Sequence, residues 1–84
     1  MSDTEYAVIA ETFPKIHENV AYFAERYVDA EAEYKRTHSL TELVTKAESH
    51  GFLYGISTTM VALRAISNGS EYIETAIEKA RARA

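Results

Sequence analysis

From Tyr6 onward, large or apolar side chains recur in alternating steps of three and four: Tyr6, Ile9, Phe13, Ile16, Val20, Phe23, Tyr27, Ala30 and Tyr34. That alternation is the period of a helix that lays one seam against a neighbouring helix. It predicts a long first helix over residues 4–36. Pro14 interrupts the pattern, because proline inside a helix removes a backbone hydrogen bond and clashes with the preceding turn. At a first helical turn proline is welcome, with Thr12 as a possible cap. The segment is therefore one helix kinked near Pro14, or a short helix followed by a long one. The unbroken seam through Phe13 and Ile16 favours the kink.

A second helix is predicted over residues 40–67. Ser39-Leu40-Thr41-Glu42 has the form of a capping box, in which Ser39 and Glu42 satisfy each other's free amides. Residues 52–66 are apolar around more than half the circumference, which suits a helix in the middle of a bundle. Ala47, Gly51 and Gly55 form a small-residue stripe that admits a close neighbour. Gly51 could instead end a short helix; the longer helix is the preferred reading. Asn68-Gly69 then stops it. Ser70 is the expected cap of a third helix over 71–83, where Lys79, Arg81 and Arg83 suit the negative helix end. Alternation of the strand type is absent over any useful length. The fold class expected is thus all-α: an elongated bundle of about three helices in a single domain, residues 1–84.

Length sharpens this picture. A single core in a chain of 84 residues supplies only about 3–5 kcal/mol of net stability. The first helix would span about 50 Å at 1.5 Å per residue, and a short chain has little to lay along it. The second helix keeps an apolar face uncovered. A two-fold homodimer that completes the bundle is the expected solution. Phe23, Tyr27, Ala47, Gly51, Gly55, Met60 and Leu63 are the positions assigned to core or dimer packing.

Charge is unevenly spread. Residues 1–34 hold eight acids and two bases, whereas residues 35–84 hold five acids and seven bases. The acidic first part and the basic remainder can attract each other within one chain or across a dimer. Glu11, Glu18 and Glu25 lie seven apart, opposite the seam, with Asp29 and Glu33 nearby. Lines of charge usually form a solvated face. Read functionally, Glu18, Tyr22, Glu25, Asp29 and Glu33 make a docking strip for a basic protein surface. Tyr22 belongs to it because tyrosine, apolar at one end and wet at the other, suits binding surfaces.

Catalytic chemistry finds little support. There is no cysteine, hence no thiolate, disulfide or cysteine metal site. His17, His38 and His50 occur in no metal-binding motif, and a site would need ligands from separate helices. Gly-rich phosphate loops and a nucleophile elbow are absent. No catalytic residue, cofactor or metal is expected. Residues 40–66 also fit a helix-turn-helix regulator, with Gly55-Ile56-Ser57 as the turn and Arg64 on the reading helix. Its few positive charges argue against nucleic acid as a partner. A small metal protein or enzyme ranks third. The polar start lacks the form of a secretory signal, and no run of about 18 apolar residues occurs. The reading that ranks first is a cytoplasmic, non-catalytic protein-binding module, a small regulator or inhibitor with no membrane attachment.

Overall fold

The computed structural model describes residues 3–84, with side chains from Tyr6 onward. The polar start at Met1-Ser2 and the side chains of Asp3 and Glu5 lie outside that range. The described residues form four helices: α1 (Asp3–Thr12), α2 (Pro14–Thr37), α3 (Leu40–Ala62) and α4 (Gly69–Arg83). They make an all-helical bundle measuring 39 × 23 × 19 Å.

The expected kink is a break. Phe13 leaves helical geometry, at φ −130° and ψ 67°, and Pro14 takes the first position of α2. Proline's ring disfavours the helical region for the residue before it, so the corner falls at Phe13 and not at the proposed cap, Thr12. The Phe13 N–H still donates to the Ile9 carbonyl at 2.8 Å and the His17 N–H to the Phe13 carbonyl at 2.9 Å. Only the direction of the chain changes. α1 can therefore fold back, and Tyr6 and Ile9 are buried in the common core. The Tyr6 ring lies 5.1 Å from His17 and 5.5 Å from Tyr72 of α4.

α2 is the central helix. Val20, Ala24, Val28 and Ala30 are buried, and Ile16, Phe23 and Tyr27 of the predicted seam pack against the core. α3 and α4 both lie against α2. The placement of α3 in the middle of the bundle is thus corrected: it is a flanking helix, with one side on α2 and α4 and the other bare.

Helix ends show where local signals hold. Ser39 occupies the N-cap position of α3, but its side chain makes no capping bond. The turn is closed instead by Thr37, whose hydroxyl accepts from the Ser39 N–H at 3.3 Å. α3 continues unbroken through Gly51 and Gly55 and stops at Ala62, five residues short of the predicted end. There the Ala65 N–H donates to the Met60 carbonyl at 2.8 Å and the Arg64 N–H to the Val61 carbonyl at 2.9 Å. This is a Schellman turn, with Arg64 left-handed at φ 60° where glycine is usual. It turns Ile66 back into the core. Asn68, not Ser70, caps α4, its side-chain oxygen accepting from the Glu71 N–H at 3.1 Å.

Candidate interaction surface

The two sides of α3 are built in an unusual order. Its inward side buries Ser49, Leu53, Ser57 and Met60. Two of those four are small and polar. Their hydroxyls are satisfied within the helix: Ser49 donates to the Thr45 carbonyl at 2.8 Å and Ser57 to the Tyr54 carbonyl at 2.9 Å. Back-bonding of this kind lets serine sit inside without an orphaned group. The small Ser57 also admits the start of α4. A methyl group placed on Gly69 would meet Ser57 at 3.2 Å.

Large apolar side chains lie on its outward side and on both flanks. Leu40, Leu43, Val44, Phe52, Tyr54, Val61 and Leu63 are between 38% and 76% exposed. Among them lie Ala47, Gly51 and Gly55, all exposed. A methyl group on Gly51 or Gly55 would meet nothing within 4 Å, so neither glycine makes room for anything in this chain. Along one flank runs an apolar groove lined by Ile16, Asn19, Phe52, Ile56, Thr59 and Leu63. Phe52, itself half exposed, forms its wall by stacking on Phe23 at 4.6 Å. Of the positions assigned to packing, Met60 is buried, while Phe23 and Tyr27 are half-buried against the core. Ala47, Gly51, Gly55 and Leu63 take no part in this chain's core and lie on or beside the bare face.

The acidic positions do share one stripe of α2. Glu18, Tyr22, Glu25 and Asp29 are exposed and Glu33 is half exposed. Several are already engaged. Glu25 meets Arg83 of α4 at 3.3 Å. Glu33 meets Arg36 at 2.6 Å, and the hydrogen bond and charge of Arg36 hold the Glu33 carboxyl below its usual range. The Tyr22 hydroxyl accepts from Arg26 at 3.3 Å. Glu18 and Asp29 have no ion pair among the described residues.

Glu31 ties three helices together. It reaches Arg81 at 3.0 Å, Lys46 at 3.5 Å and Lys35 at 3.9 Å, joining α2, α3 and α4 at one carboxylate. Burial pushes its carboxyl up, but the Arg81 hydrogen bond and charge, joined by Lys46 and Lys35, outweigh that and hold it below its usual value. The pair with Lys35 was readable from the i,i+4 spacing. The other two partners depend on tertiary placement, which spacing does not encode.

The geometry also bears on the other functional readings. Gly55-Ile56-Ser57 is helical, so the turn that a helix-turn-helix needs is absent. Among the described residues no three histidine or acidic side chains converge as a metal site would require. No helix among them is long and apolar enough to cross a membrane. Comparisons with known protein families, with curated proteins and with solved structures find no match to this chain.

Proposed function

We propose that this protein is a non-catalytic protein-binding module that works as a homodimer, with the bare face of α3 joining the copies and the acidic stripe of α2 meeting a basic protein. The observation that carries the reading is the outward face of α3. Seven large apolar side chains are 38–76% exposed, while two of the four residues buried on the inward side are serines. Monomeric proteins rarely expose a contiguous apolar patch beyond a few hundred Å² without using it. On α2, Glu18 and Asp29 are the carboxylates free to meet a partner, and Tyr22 lies between them as an amphipathic anchor.

Two measurements test this. Sedimentation at micromolar concentration should give the mass of two chains; the mass of one chain refutes the dimer. Reversing charge at Glu18→Lys and Asp29→Lys should weaken capture of a protein partner at least tenfold and leave helicity unchanged, since neither carboxylate has an ion pair among the described residues. Undiminished capture would remove the acidic stripe from the interface.

A further inference from the structure

α1 and α2 hinge on a single residue. The Phe13 N–H ends the hydrogen bonding of α1 on the Ile9 carbonyl, and the Phe13 carbonyl begins that of α2 by accepting from the His17 N–H. Pro14 follows at the first position of α2, which has no side-chain cap. The apolar seam nevertheless keeps its phase through this corner. Tyr6, Ile9, Phe13, Ile16 and Val20 are separated by steps of 3, 4, 3 and 4. In the folded-back chain α1 and α2 are separate helices, and the phase of one relative to the other has no use. In a continuous helix the same phase puts Tyr6 and Ile9 on the side that holds Ile16 and Val20.

Little holds α1 in place. Tyr6 and Ile9 are its buried side chains among the described residues, whereas Val8 is 51% exposed. The Tyr6 ring sits on His17 of α2 at 5.1 Å and on Tyr72 of α4 at 5.5 Å, and Lys79 Nζ lies 5.3 Å from its centre. A helix of ten residues falls short of the roughly 12–15 at which an isolated helix begins to hold together in water. Away from this seat, α1 is stable only as the continuation of α2.

We propose that α1 exchanges between two copies of this chain: it straightens onto α2 and places Tyr6 and Ile9 in the seat of a second copy, which returns its own α1. Such an exchange rebuilds the contacts that the single chain already makes, which is why it is a low-cost route to a dimer. It also adds two backbone hydrogen bonds. A continuous helix joins each N–H to the carbonyl four residues back, so Lys15 would donate to Glu11 and Ile16 to Thr12. The corner leaves both bonds unmade among the described residues. Pro14 has no N–H to lose, and it bends the long helix. Against the exchange stands the preference of a residue before proline for non-helical geometry. The folded-back chain therefore prevails when copies are scarce, and association draws out the exchanged form as concentration rises. With Tyr6 of each copy on His17 of the other, the two long helices cross antiparallel beside the corner. Phe13, 39% exposed in the single chain, lies at that crossing. The α3 face takes no part, so the exchange stands apart from the dimer proposed above.

A chain without cysteine lets one disulfide report the exchange. A chain carrying Tyr6→Cys alone or His17→Cys alone has no second thiol to pair with inside itself. An equal mixture of the two, refolded together at micromolar concentration and oxidised, should form linked dimers at least tenfold faster than either variant alone. Linking no faster in the mixture, with both variants helical, would overturn the exchange.

Both variants trim the seat, so the corner is tested in a chain whose seat is intact. Pro14→Ala permits the continuous helix and should raise the association constant from sedimentation at least tenfold. A Gly-Ser-Gly-Ser insertion after Phe13 breaks that continuity and eases folding back, and should lower it at least tenfold. An association constant that neither change moves would overturn the exchange and leave the α3 dimer standing. A two-chain mass for Pro14→Ala beside a one-chain mass for the parent would sustain the exchange and remove the α3 dimer. A one-chain mass for both would overturn both.

Discussion

The Tyr72 hydroxyl and Nδ1 of His17 are buried with no hydrogen-bond partner among the described residues. Burial, with a smaller contribution from Tyr6, pushes the Tyr72 phenol up to about 12. It therefore stays neutral and its hydroxyl remains a dipole without a partner. An unsatisfied buried group carries a desolvation penalty of about 1–3 kcal/mol. Tyr72→Phe keeps the ring against Tyr6 and removes that group. The variant should match the parent or exceed it by up to about 1 kcal/mol in urea unfolding. A loss of that size would mean that the hydroxyl is bonded in solution. None of this was readable from the sequence, because His17 and Tyr72 are far apart along the chain. Both rings pack on Tyr6, at 5.1 Å and 5.5 Å, which the corner at Phe13 brings back against α2 and α4.

Along whole elements, the seam and most helix positions were legible. Tyr6, Ile9, Ile16, Val20, Phe23 and Tyr27 all join or pack against the core, the first two on α1 and the rest on one side of α2. The corner at Phe13 was one of two readings, and the constraint that Pro14 imposes on its neighbour decides between them. The end of α3 was not legible. It depends on Arg64 in a left-handed conformation, and no glycine or proline marks it. Nor was the bare side of α3, because the helix is apolar on both sides and tertiary packing alone chooses between them. Serine at positions 49 and 57 lets neighbours approach closely, and that choice leaves the larger residues outside. Gly55→Leu probes this allocation. Open space surrounds Gly55 within the chain, and leucine is the better helix former by several tenths of a kcal/mol. The variant should therefore fold at least as stably as a single chain while shifting the sedimentation mass from two chains toward one. An unchanged two-chain mass would place the contact elsewhere.

For the molecule as a whole, the acidic first part and the basic remainder do find each other, chiefly through Glu31 and Glu25. That attraction was legible in the charge distribution; its concentration on Glu31 was not. The folded state holds the Glu31 carboxyl below its usual value of 4.5. Its contribution to stability is complete above the unfolded value and is lost as pH falls through the lower folded value. Glu31→Gln should lower stability at neutral pH by about 1 kcal/mol, its three partners being partly exposed. The same variant should lose less between pH 5 and pH 3 than the parent does. Parallel acid unfolding of the two proteins would place the responsible carboxylate elsewhere.

The uncovered face of α3 has a further consequence when copies associate through it. Association that is restricted to folded chains draws the folding equilibrium along with it, so resistance to heat and proteolysis follows how much of the protein is present. A dilute population would be the vulnerable one, with its apolar side chains open to proteases and to unrelated chains. An abundant population would protect itself. The amount of protein would then govern its own survival, and a fall in synthesis would be followed by a disproportionate fall in the number of intact molecules.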